Sequence, residues 1–194
     1  MTLFKSVTLL GIAFILGGTP TIVQAEMPST AIAQTSAVEF YNRGVDKANK
    51  KDYKGAIADY TQAIQLNPKY AIAYLNRGVA YRKLKNDQKA LADYSQAIQL
   101  KPNYSLAYYN RGNVRDDLNN PKGAIEDYTQ AIEIDQEWGS RGIADAYYNR
   151  AYVQARLKQR KGALADYQKA ADLYKAAGQT EDYEDAMKQV RRLQ

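Results

Sequence analysis

Four arginines each stand sixteen residues ahead of an aspartate: Arg43 and Asp59, Arg77 and Asp93, Arg111 and Asp127, Arg150 and Asp166. A guanidinium presents a planar fork of donors that a carboxylate can accept two at a time. If the two meet across a helical hairpin, they form structural ion pairs at half-buried sites, where neither charge is tolerated alone. The alternative chemistry is anion binding by the row of arginines. The residue before each arginine is always asparagine: Asn42, Asn76, Asn110 and Asn149. An amide side chain donates and accepts. A row of them can satisfy the C=O and N–H of an extended peptide whatever its side chains, or can bond to neighbouring helices and water instead.

Other reactive groups are scarce. The 194 residues contain no cysteine and no histidine. This removes thiol nucleophiles, disulfides, Cys/His metal sites and the usual near-neutral proton shuttle. No glycine-rich phosphate loop or Ser/Lys dyad is present. Asp116–Asp117 reads as a solvated helix end. The segment Glu181–Asp185 could hold a divalent ion only weakly, because its spacing does not match an EF-hand loop. The chain is therefore expected to be non-catalytic, with no cofactor and no metal. The formal charge is +6, but acids and bases alternate, which gives no basic run for nucleic acid.

The elements that position the arginines and asparagines repeat. At starts Ala37, Ala71, Ser105 and Ala144, a large ring comes first (Phe40, Tyr74, Tyr108, Tyr147) and a very small residue follows four later (Gly44, Gly78, Gly112, Ala151). Twelve further on stands alanine (Ala56, Ala90, Ala124, Ala163), then tyrosine (Tyr60, Tyr94, Tyr128, Tyr167), then alanine again (Ala63, Ala97, Ala131, Ala170). Within each half-copy the apolar steps of one, three and four mark one face of a helix. Breakers at Lys51–Asp52, Asn86–Asp87 and Asn119–Asn120–Pro121 separate the halves, and Asn120 before Pro121 suits an N-cap and a first-turn proline. Each copy is thus two antiparallel helices, which bury their apolar faces only when stacked.

With its rings, small residues and Pro68 and Pro102 at period 34, this pattern resembles the tetratricopeptide repeat. The resemblance implies an all-α, right-handed superhelical solenoid of four helix-turn-helix repeats with a C-terminal capping helix. The boundaries are 37–70, 71–104, 105–138 and 144–178 for the repeats, 139–143 for an inserted loop and 179–194 for the cap. There are departures. Arginine replaces the signature leucine throughout. The signature tyrosine survives only as Tyr81, against Lys47, Arg115 and Gln154. Gln136 stands where proline is expected. In the cap, Tyr183, Ala186, Met187 and Val190 share one face.

The resemblance also implies that the first helices line a curved groove that binds a protein or peptide. The asparagine column falls where some members of the family carry an asparagine ladder. Beside it stand Tyr41, Leu75, Tyr109 and Tyr148, and a turn on Val45, Val79, Asn113 and Tyr152. Arg82, Lys83, Asp116, Asp117 and Arg156 lie deeper, with mixed signs. The family's carboxylate clamp is not expected: Tyr41, Val45, Leu106 and Asn110 occupy its positions, and only Asn76 fits.

The N-terminus reads as an address. Lys5, the twelve-residue apolar run Val7–Gly18 and the tail Val23–Ala25 describe a signal peptide over 1–25, since the run is short of the ~20 residues that span a bilayer. Ala31–Ala33 is a second cleavage candidate, and an uncleaved anchor, the only membrane contact expected, is the alternative. Residues 26–36 read as a flexible leader. The repeat wording resembles that of many cyanobacterial proteins, leaving periplasm and thylakoid lumen open. The expected role is a protein-interaction scaffold outside the cytoplasm, serving assembly or chaperoning of an exported complex. The alternative is a structural repeat protein that assembles with itself.

Overall fold

A computed structural model describes residues 8–11, 23–26, 29–134 and 139–194. Four helical hairpins follow one another: α1 (Ser29–Asn49) with α2 (Tyr53–Leu66), α3 (Ala71–Lys83) with α4 (Asp87–Leu100), α5 (Ser105–Asp117) with α6 (Pro121–Ile134), and α7 (Gly139–Arg156) with α8 (Arg160–Ala176). Each hairpin packs its first helix on the second helix of the hairpin before, and α9 (Thr180–Leu193) closes on α8. First helices of neighbouring hairpins also touch, α1 with α3 and α5 with α7, so they line the inner side of the solenoid.

The breakers end the first helices in one recurring way. Lys51, Lys85, Asn119 and Lys158 take a left-handed backbone, with φ between 58° and 63°. The next N–H then reaches back over the last turn, as from Asp52 N to Lys47 O and from Asn86 N to Tyr81 O, both 2.9 Å. This satisfies carbonyls that the helix end leaves open. Asp52, Asn86 and Asn120 then cap the second helices by accepting from the N–H groups of Gly55, Lys89 and Gly123.

The core alternates small and large. Ala56, Ala90, Ala124 and Ala163 are fully buried, and Tyr60, Tyr94, Tyr128 and Tyr167 nearly so. A Cβ added at Gly44, Gly78 or Gly112 would stand 2.6, 2.7 or 2.9 Å from a ring carbon of Tyr60, Tyr94 or Tyr128. That is closer than carbon atoms pack, so these glycines exist to admit the rings. On α9, Ala186 and Val190 are buried against α7 and α8, with Tyr183 and Met187 packed beside them.

Two expectations are corrected. The leader over 26–36 is helical from Ser29, because no glycine or proline interrupts Ser29–Ser36 and α1 extends backward through it. Residues 139–143 are no loop but the first turn of α7. Five residues exceed one helical turn, so the addition lengthens the helix, and Gly142, at a cost of about 1 kcal/mol relative to alanine, does not break it. Before the repeats, β1 (Thr8–Gly11) and β2 (Val23–Glu26) pair antiparallel with Thr8 opposite Glu26. The rest of the expected signal peptide lies outside the described residues. No described helix is long and apolar enough to cross a membrane.

Candidate functional site: the inner wall of the solenoid

The arginine column sits at the joints of the stack. Arg77 donates from Nε and Nη2 to both oxygens of Asp93 at 2.8 and 2.7 Å, and Arg111 and Arg150 hold Asp127 and Asp166 the same way at 2.7–2.9 Å. Nη1 reaches back into the preceding hairpin, from Arg77 to Thr61 Oγ1 at 3.1 Å, Arg111 to Ser95 Oγ at 3.2 Å and Arg150 to Thr129 Oγ1 at 2.9 Å. Each guanidinium also lies over the ring of its own repeat, Tyr74, Tyr108 or Tyr147, at 5.4–5.5 Å. These three donors are consumed inside the protein, which leaves no fork for an anion.

Arg43 differs. It holds Asp59 at 2.9 and 2.5 Å and stacks on Phe40, but no helical hairpin precedes it among the described residues and its side chain is 56 % exposed, against 15–17 % for the others. Its hydrogen bonds hold the Asp59 carboxyl below the usual range, aided by Lys47 at 2.8 Å.

The asparagine column divides in two. Asn76 donates its amide to the Tyr41 hydroxyl, one repeat back, at 2.9 Å. Asn149 donates to the Tyr109 hydroxyl at 3.1 Å and to Asn113 Oδ1 at 3.0 Å, and Asn113 also accepts from Tyr128 at 2.8 Å. The matching position for Asn110 is Leu75, which has no hydroxyl. Asn110 is half-buried and has no hydrogen-bond partner for its amide among the described residues. Asn42 is exposed at the open first repeat.

Leu75 corrects an expectation: it is 2 % exposed and packs in the core with Tyr94, Ala107 and Val114, so it is not on the free wall. An apolar side chain between first helices sinks inward where a tyrosine reaches for an amide. Val45 and Val79 line a cleft of about 170 Å³ with Asn76 and Tyr60. Tyr152 is half exposed, with the Arg156 guanidinium 5.7 Å above its ring. Further along, Arg82 pairs with Asp117 at 2.5 Å and Arg156 with Asp116 at 2.8 Å, so successive first helices are laced by charge.

Sequence reasoning missed one feature of this wall. Tyr109, Asp145, Tyr148, Asn149, Tyr174, Asp182 and Asp185 surround a pocket of about 310 Å³ at its C-terminal end. Its signal was the longer second helix of repeat four: α8 has 17 residues where α2, α4 and α6 have 14, and the extra turn carries Tyr174. Burial, and then the neighbouring carboxylates Asp185 and Asp145, push the Tyr148 and Tyr174 hydroxyls far above the usual phenol range, so both stay protonated. No group of carboxylates among the described residues could hold a metal ion.

Models of the tetratricopeptide repeat match residues 71–104, 105–137 and 144–177, and a TPR repeat model matches 48–85. The chain belongs to the tetratricopeptide repeat family. No curated protein matches the sequence. Among solved structures, it is similar to the first TPR of Spaghetti (RPAP3) bound to the HSP90 peptide SRMEEVD, with 25 % identity over 64 % of this chain and 95 % of that one and a TM-score of 0.59. The Sgt2 TPR domain of Aspergillus fumigatus is 28 % identical over 63 % and 80 % of the two chains, with a TM-score of 0.57. MamA shares the fold at 20 % identity, covering 81 % of this chain and 91 % of its own, with a TM-score of 0.64.

Proposed function

We propose that this chain is a non-catalytic scaffold that holds an extended protein or peptide segment against the first helices of its solenoid. The observation that carries the reading is Asn110. Its amide spends no hydrogen bond on the described residues, and a peptide backbone offers both the acceptor and the donor that such an amide can take. Asn42 adds a second free amide at the open end. Asn76 and Asn149 spend their N–H groups on tyrosines and act as supports.

The peptide carried by the Spaghetti (RPAP3) domain supports the idea of a bound segment but not its chemistry. Tyr41, Val45 and Leu106 stand at the positions where a carboxylate clamp would need bases and asparagine, so the partner is not a free carboxylate tail. Export, to a periplasm or thylakoid lumen, is part of the proposal and rests on the N-terminal apolar run. The scaffold would serve an exported complex there. Stacking of copies end to end is the weaker reading, because α9 already covers the last core face with its buried Ala186 and Val190.

The test is a pull-down from the exported fraction with the wild-type chain and with Asn42→Ala/Asn110→Ala. The double variant should lose the partner while keeping its helical circular dichroism. Undiminished capture would show that the amides do not hold it.

A further inference from the structure

We infer that the edge of the solenoid formed by the turns within its hairpins docks on an anionic lipid bilayer. This does not depend on what the groove holds. The first helices bring these turns together. Arg82 near the end of α3 pairs with Asp117 at the end of α5, and Arg156 at the end of α7 pairs with Asp116 of α5. Ala48 and Asn49 of α1 share a cleft with Val79 and Ala80 of α3. All four turns therefore fall on one edge.

Leucine stands at the tip of three of them. Leu84, Leu118 and Leu157 are 38–41 % exposed, and they are three of the seven large apolar side chains exposed among the described residues. Each precedes the left-handed residue of its turn. The N–H two positions on then closes the turn, from Asn86 to Tyr81 O at 2.9 Å, from Asn120 to Arg115 O at 2.7 Å and from Gln159 to Gln154 O at 2.9 Å. The tips are thus fixed and stand in a row.

Lysines surround them. A left-handed backbone favours glycine or asparagine, yet Lys51, Lys85 and Lys158 take it. Lys50 and Lys54 stand beside the first of these, and Lys83 and Lys89 beside the second. Lys122 follows the third turn and Lys161 the fourth; all of these lysines are exposed. Acids are fewer. Asp52 caps α2, and Asp87 lies in the first turn of α4. Asp116 and Asp117 are already neutralised by Arg156 and Arg82. Asp46 and Glu126 stand a helical turn further in. Arg160 is turned to the carbonyls of Leu193 and Gln194. Along the chain these lysines are separated by acids and by whole helices, and the fold gathers them.

The mixture selects the partner. Lysines alone would suit any polyanion. The leucines gain nothing from a soluble anion, because only an apolar phase removes them from water. At a bilayer surface leucine tips can enter the acyl boundary while the lysines stay level with the lipid phosphates, their stems lying along the interface.

The chain has no cysteine, so one introduced thiol can carry an environment-sensitive fluorophore. Gln88→Cys places it at the start of α4, on the proposed edge, and Asn103→Cys places it just past the other end of that helix; both positions are exposed. The full chain is titrated at low ionic strength with vesicles of mixed phosphatidylglycerol and phosphatidylcholine. The label at position 88 should shift to the blue and the label at 103 should not, and phosphatidylcholine alone should shift neither. Leu84→Ser/Leu118→Ser/Leu157→Ser, checked for helicity by circular dichroism, should weaken binding by about tenfold or more. Lys85→Gln/Lys158→Gln should weaken it by about tenfold and flatten its dependence on salt. Equal shifts at both labels would mean that the N-terminal apolar run holds the chain, and would overturn the inference. So would a leucine variant that binds as the wild type does, no shift at position 88, or a shift there with a DNA duplex and not with vesicles.

Discussion

Val79 faces Tyr94 as Asn113 faces Tyr128 one repeat later, and the exchange of an amide for an isopropyl group leaves the Tyr94 hydroxyl buried without a partner. The two rings are equally enclosed, at 0 % and 2 % exposure. The difference lies in one side chain, not in the backbone that carries it.

That orphan hydroxyl is a defect that can be repaired. Val79→Asn should give Tyr94 the acceptor that Asn113 gives Tyr128, and should raise stability by about 1 kcal/mol in urea unfolding. An unchanged or lower midpoint would mean that the lost valine packing outweighs the bond.

The arginines should be unequal. Arg77→Ala leaves Asp93, 5 % exposed, with no cation among the described residues, and breaking such a buried pair costs about 3–5 kcal/mol. Arg43→Ala leaves Asp59 with Lys47 at 2.8 Å, so removing the exposed arginine should cost far less than removing Arg77. Equal losses in chemical denaturation would show that the reach from Arg77 back to Thr61 adds nothing to the stack.

Gly78→Leu should cost about 1–3 kcal/mol or more by overpacking, since even a Cβ stands 2.7 Å from the Tyr94 ring. A double variant that also carries Tyr94→Ala should recover part of that loss by making room for the new side chain. Thermal melts of the two proteins decide it.

Alkali should unfold the protein through its core rings. Burial raises Tyr60 and Tyr167 to about 12, against an ordinary value of 10.0. With the folded value above the unfolded one, the stabilisation is whole below pH 10 and is lost as pH rises toward 12. Helicity should therefore fall over that window, and Tyr60→Phe should lessen the loss of stability. A wild type and a Tyr60→Phe variant that lose stability equally toward pH 12 would contradict the assignment.

Much of the fold could be read from the sequence because its signals are steric and repeat. A glycine that admits a ring, and a ring sixteen residues further on, impose the same constraint in each of the first three hairpins, so Gly44 and Tyr60 already predict Gly112 and Tyr128. The arginine pairs were readable for the same reason. The asparagines were not, because the fate of Asn110 is decided by Leu75 and that of Asn76 by Tyr41, each in the preceding repeat. A column read downward hides a contact that runs across copies. The acidic pocket was hidden differently: Asp145 lies in α7, Tyr174 in the extra turn of α8 and Asp185 in α9, and only the folded chain brings them together. The turn at 139–143 was misread because glycines suggested a break where the helix simply lengthens.

Arg150 reaches Thr129 across twenty-one positions where Arg77 reaches Thr61 across sixteen, and the bond is no longer for it. Register between hairpins is therefore kept by side-chain clasps rather than by the length of chain joining them. The five residues added ahead of the fourth hairpin are taken up in α7, and the clasp to the third hairpin holds all the same.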